Sequence, residues 1–205
     1  MASSESIAET WRIAAKGLLS AGSGAIGMGA YGWREFVCAL SKASWMETVR
    51  FLDPAEFEVE GEFAIIAYMS QDSVVSGIRE ADLELIDPPV FVSENADPLT
   101  WRPEFEKASE WSQVASLWAL VKEGRGVLAY NSKGAKRALK RVSSSTSELV
   151  PFSSRVGLLF RRIRESVVLC FANKAVFVWA ENLDNWREIE AALGIDWDYC
   201  SEDDA

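Results

Sequence analysis

The amino-acid sequence predicts an α+β fold, and three observations carry that prediction. Phe63 to Met69 (FAIIAYM) is an apolar run rich in β-formers, and after four turn-forming residues a second run, Val74 to Ile78, follows at hairpin spacing. Glu104 to Glu123 puts Phe105, Ala108, Trp111, Ala115, Trp118 and Val121 on one helical face, with Gly124 where a C-cap belongs. Val156 to Arg162, Val167 to Phe171 and Ala175 to Trp179 read as three further strands, ahead of a closing helix.

The chain as a whole bounds the function. Its 205 residues, 49% hydrophobic, are enough for one sizeable core, so residues 1–205 are expected to form a single domain. Histidine is absent, which removes Ser-His-Asp and Cys-His catalysis, the commonest zinc ligand and the side chain best matched to proton transfer near neutral pH. Enzymes built on paired carboxylates or a tuned lysine survive this test, but no spacing points to either; no catalytic, cofactor or metal residues are expected. Cys38, Cys170 and Cys200 are odd in number, widely spaced and without a CxxC pair, which reads as thiols used as small apolar groups in a reducing, cytoplasmic setting. A formal charge of −10 argues against direct DNA binding and suits a basic partner.

In chain order, Ser6 and Glu9 form a capping-box pattern before Ile7, Trp11, Ala14 and Leu18, so residues 1–32 read as an N-terminal helix and a Gly-rich segment. Gly17 to Trp33 is uncharged, but six glycines break it up, and a membrane helix needs roughly 20 apolar residues; an apolar loop against the core is expected, with no membrane role. Gly22, Gly24 and Gly27 fit GxGxxG, yet a helix precedes them where dinucleotide binding needs a strand. Trp33, Phe36, Val37 and Leu40 make a second helical stripe, and Ser44 with Glu47 predicts a short helix reaching Leu52, stopped by Asp53-Pro54. After the hairpin, Asp87-Pro88-Pro89 halts the chain, Val90 to Val92 reads as an edge-like strand and Ser93 to Leu99 as a surface turn.

Val127 to Tyr130 reads as a short strand. Lys133 to Arg164 holds nine Lys or Arg and one acid, a net +8 that leaves −18 on the rest; Lys133, Lys136, Arg137, Lys140 and Arg141 are expected on a short helix, as a solvated face or, as the alternative, a dock for RNA, a phosphate-bearing partner or the molecule's own acidic surface. Asn182 or Asp184 caps the last helix, which carries Trp186, Ile189 and Leu193 and ends at Gly194. Residues 196–205 read as a disordered acidic tail.

Gln71, the SGI of Ser76 to Ile78, Asp82, the DPPVFV of Asp87 to Val92 and Trp101 ahead of a helix together resemble the SUKH superfamily. The likeness is close over about fifty residues and looser in VFVWAENLDNWREIEAALGIDW near the end; a leucine-proline entry helix is missing. The resemblance implies an antiparallel or mixed central sheet with helices packed mainly on one face. It also implies a non-catalytic role, since the superfamily includes many bacterial immunity proteins beside the yeast cell-wall assembly regulator. The expected function is therefore binding and neutralising a toxin domain, such as a basic nuclease, through Asp72, Asp82, Glu94, Asp97 and Trp101, chosen because they stand on the motif's loops; Trp101 serves the core equally well. A scaffold protein of the same fold and an enzyme with a carboxylate or lysine site are the alternatives.

Overall fold

The computed structural model describes residues 4–18, 32–42, 47–141, 146–153, 158–164, 166–172 and 175–201. The fold is α+β, but its strands form two six-stranded antiparallel sheets instead of one central sheet. The chain divides into two compact units, Leu19–Ser116 and Met1–Leu18 with Leu117–Ala205.

The first of these holds α2 (Trp33–Ser41), β1 (Val49–Phe51), β2 (Glu58–Glu60), β3 (Phe63–Met69), β4 (Val74–Arg79), β5 (Val90–Glu94) and β6 (Arg102–Phe105). The sheet runs β1-β3-β4-β5-β6, with β2 also paired to β3. Three expectations change here. Residues up to Leu52 make a strand and not a helix: Val49 and Phe51 are buried on either side of exposed Arg50, and pairing with Ala67 to Met69 outweighs the local capping pattern. β5 lies between β4 and β6 and so is no edge strand. Trp101 leads into β6, because Pro103 tolerates an edge strand and not a helix interior, and the long helix α3 (Ala108–Glu123) starts only at Ala108.

The four-residue stripe of α2 is fully buried as read. One sheet face packs on the first half of α3, where buried Trp111 donates from Nε1 to Ser76 Oγ at 3.2 Å and meets Phe51 edge-on at 5.8 Å. Helix α3 is buried nearly all round, polar residues included; Ser112, Gln113 and Ser116 donate back to the carbonyls of Ser109 and Gln113, while Gln113 Oε1 finds no donor among the described residues. Leu52, Ile65 and Val75 form a small core on the other sheet face, partly covered by Phe57, Tyr68, Leu99 and Trp101.

The second unit runs β12-β7-β11-β10-β9-β8, from β7 (Val127–Asn131), β8 (Thr146–Ser153), β9 (Leu158–Ile163), β10 (Val167–Ala172), β11 (Ala175–Ala180) and β12 (Tyr199–Cys200). Its helices cover both faces, not mainly one. Helices α4 (Ala135–Arg141) and α5 (Leu183–Leu193) pack Ala135, Ala138, Trp186, Ile189 and Leu193 against Val176, Val178 and Leu169. On the opposite face α1 (Ser4–Leu18) approaches so closely that a Cβ on Gly17 would stand 2.9 Å from Trp179. Because α1 begins at Ser4, Ser6 lies inside the helix and is not its cap. The Gly-rich run from 19 to 31 and Ser44 lie outside the described residues.

Asn182 is the cap of α5, its Oδ1 accepting from the Asn185 amide at 3.0 Å. Arg141 donates to the carbonyls of Leu193 and Gly194, both at 2.7 Å, so one cation of the basic window closes the far end of that helix. The expected tail is ordered through Ser201: β12 pairs with β7, Trp197 packs on Trp186, and Asp198 accepts from the Ser132 amide at 2.7 Å. The Ser132 hydroxyl first, and then this amide, hold the Asp198 carboxyl below its ordinary value. Composition misled here, since two apolar residues among the acids suffice to dock the segment.

Candidate functional site

The residues singled out in the sequence all fall in the unit spanning Leu19–Ser116, but at different places on its sheet. Asp72, Glu94 and Asp97 lie at the end where β3 turns into β4. Ser70, Gln71 and Asp72 all have positive φ, at 53°, 56° and 62°. Three consecutive L-residues in the left-handed region cost roughly 1–2 kcal/mol each, so the turn must be held from outside. Ser73 Oγ donates to the Ser70 carbonyl at 2.8 Å, Asn95 Nδ2 donates to the Asp72 carbonyl at 2.8 Å, and the Ser70 amide donates to Thr48 at 2.7 Å.

The Asp72 carboxylate faces Arg50 at 3.2 Å, and that guanidinium also lies 4.3 Å from the centre of the Tyr68 ring. Tyr68 in turn donates to Glu58 Oε2 at 2.7 Å. Burial first, and then the Glu58 acceptor, push its hydroxyl up to about 12, so it remains a proton donor at neutral pH. Asp72 is thus part of an Arg50-Tyr68-Glu58 group, whereas Glu94, the last residue of β5, and Asp97 in the loop after it are exposed.

Trp101 belongs to the middle of the sheet. It stacks on Phe63 at 4.6 Å and 22°, and lies so close over Gly77 that a Cβ there would stand 2.7 Å from the indole ring. Glycine at that position is what lets the ring lie flat on the sheet. Half-buried, Trp101 is chiefly a lid on the small core beneath it.

Asp82 stands at the opposite end of β4, about 20 Å from Asp72 at roughly 3.3 Å per residue. It belongs to a short 3-10 turn, Glu80–Asp82, followed by a loop that the sequence reading passed over. Leu83 and Leu85 donate amides to the carbonyls of Glu80 and Asp82, and Asp87 accepts from the amide and hydroxyl of Ser109 at 2.8 and 2.6 Å, fastening the loop to the start of α3. Between these ties Leu85 is 51% and Ile86 93% exposed. Glu80 and Glu84, also exposed, flank them. The sequence does carry a signal for this loop: Asp82 to Leu85 alternates acidic and apolar residues, and Ile86 then stands immediately before the Asp-Pro-Pro stop.

Charge is divided as sharply as the sheets. Leu19–Ser116 carries six Lys or Arg against seventeen Asp or Glu, net −11, while the rest carries fifteen against fourteen, net +1. Among the described residues no group of three or more Cys, Asp or Glu is placed to hold a metal ion, and no helix is long and apolar enough to cross a membrane. No family profile, no curated protein and no solved structure matches this chain.

Proposed function

We propose that this chain is a cytoplasmic immunity-type binding protein that neutralises a basic toxin domain by covering it, without chemistry of its own. The reading starts from the SUKH resemblance of Gln71 to Trp101, and one structural observation supports it most: a pinned loop that presents Leu85 and Ile86 to solvent among carboxylates. Apolar side chains fixed in the open and ringed by charge have the composition of an interface centre with its rim. Carboxylates on an excess of −11 would speed encounter with a cationic surface, and burial of Ile86 would slow release.

Full burial of Ile86 is worth about 1.5–3 kcal/mol, so Ile86→Asp should weaken the complex by about tenfold or more. Because Ile86 is exposed, the variant should fold within about 0.5 kcal/mol of the parent. The test is capture of partners by the tagged chain at low and moderate salt, followed by co-expression of the captured domain. One near-stoichiometric basic partner that arrests growth, rescued by the parent chain and not by Ile86→Asp, is the expected result. Several weak partners, or rescue unaffected by the substitution and by salt, would sink the proposal in favour of a scaffold role.

A further inference from the structure

We propose that β2, Glu58–Glu60, is an open edge that takes up a basic extended segment of another protein as an additional strand. Among the described residues β2 pairs with β3 alone, so one of its sides has no neighbour. The direction of its backbone follows from hydrogen bonds already in the sheet. The Glu80 amide donates to the Glu62 carbonyl at 2.8 Å, which makes Glu62 with Glu80, and two residues on Ala64 with Ile78, the bonded pairs between β3 and β4. Ala64 therefore spends its polar groups on β4. Val59, which stands opposite Ala64, turns its own N–H and C=O outward, away from the sheet.

An outward-facing donor and acceptor on a strand are a template for a further strand, and the side chains beside them decide which. Val59, at the centre, is apolar and 56% exposed. Glu58 and Glu60 flank it on the other sheet face, both exposed, and Glu56 and Glu62 stand exposed just beyond the two ends. None of these four carboxylates is ion-paired among the described residues; Glu58 accepts from the Tyr68 hydroxyl only. A second copy of the chain is a poor occupant, since two such edges would set glutamate against glutamate. A strand with lysine or arginine opposite Glu58 and Glu60 and an apolar residue opposite Val59 matches both faces.

The far edge of the same sheet is built differently. Phe91 spends its polar groups on Gly77 of β4, so Pro103, opposite Phe91 on β6, faces outward and has no N–H to give. Of the two, the β2 edge is the one with a donor to offer, and it lies in the unit whose net charge is −11, which draws a cationic segment toward it. The inference is carried by this edge alone. It stands or falls separately from the Leu85–Ile86 loop and from the toxin-binding reading.

The test uses the full chain, isotope-labelled and titrated with an end-blocked peptide of alternating lysine and valine. Saturable amide shifts centred on Glu58, Val59 and Glu60 are expected, with slowed hydrogen exchange at Val59. The same peptide with glutamate for lysine should bind about tenfold more weakly or worse. N-methylation of the valines, which keeps the charge and removes the donors that face β2, should weaken it likewise, and N-methylation of the lysines should not. Val59→Pro removes the outward N–H at an edge that tolerates proline and should also weaken binding, whereas Ile86→Asp should leave it unchanged. Equal affinity for the lysine and glutamate peptides, tight binding of the valine-methylated one, shifts lying elsewhere or a loss caused by Ile86→Asp would each overturn the proposal. So would Val59 exchange that slows with chain concentration in the absence of peptide, which would assign the edge to a second copy.

Discussion

The two units use the same sheet size to opposite ends. In the unit of Met1–Leu18 and Leu117–Ala205, helices lie on both sheet faces, and positive and negative charges nearly cancel. In Leu19–Ser116, helix covers one face, loops and half-buried aromatics cover the other, and the charge is −11. A sheet with helices on both faces leaves little of itself open, and a cleft lined by Lys122, Tyr130 and Phe177 lies beside its short edge strand β12. A sheet roofed by loops has its turns free, and there the strained Ser70 to Asp72 turn and the Leu85–Ile86 loop occur. Net charge for the whole chain conceals this division.

The contrast can be broken most forcefully at its buried tryptophan. Trp111→Ala removes a side chain that is 1% exposed, its hydrogen bond to Ser76 and its edge contact with Phe51. A loss of about 3–5 kcal/mol is expected, read as a lower urea midpoint at unchanged slope. A loss below about 1 kcal/mol would mean that the site collapses easily and that the one-sided helix packing contributes little to stability.

The two close approaches sharpen the comparison with smaller effects. Gly17→Ala would drive a methyl into Leu120 and the fully buried Trp179, costing about 1–2 kcal/mol after alanine's helix preference of about 1 kcal/mol is allowed for. Gly77→Ala meets chiefly Trp101, which is only half-buried and can swing outward, and only grazes the Ala64 carbonyl at 3.0 Å. Stability should change by less than about 1 kcal/mol while tryptophan fluorescence shifts toward the solvent-exposed range. Equal losses at both positions would show that the loop-roofed face is as tightly packed as the helix-covered one.

The smallest effect is a pH dependence at Glu9 of α1. Arg12 hydrogen-bonds its carboxylate and, with Arg162, holds it below its ordinary value of 4.5. With the folded value the lower one, the unfolded chain takes up protons first as pH falls. The contribution is therefore complete above 4.5 and is lost as pH drops through the folded value. Chemical denaturation of Glu9→Gln should show a stability deficit at pH 7 that narrows below pH 4.5. A gap independent of pH would assign the loss to packing.

Much of the architecture could be read locally. The β3–β4 hairpin, the α2 stripe, the cap at Asn182 and the left-handed Gly194 follow from patterns a few residues long. Val49 to Phe51 and Tyr199–Cys200 did not, because each is a short strand whose partner is distant in sequence, and Arg102 to Phe105 did not, because its last residues overlap the helical pattern read from Glu104. Of the chosen site residues, the loop positions were legible as turns. Their separation by about 20 Å along β4, the role of Trp101 over Gly77, and the exposure of Ile86 were not.

By itself, the sequence determined the α+β class, the absence of histidine chemistry and the excess of acid, since composition and short-range periodicity suffice for these. Tertiary structure alone decided that there are two sheets, that the charge gathers on one of the two units, and that Val59 turns its backbone outward at an open sheet edge. Strand pairing and register join residues tens of positions apart, and no local propensity encodes which distant edge a strand will meet.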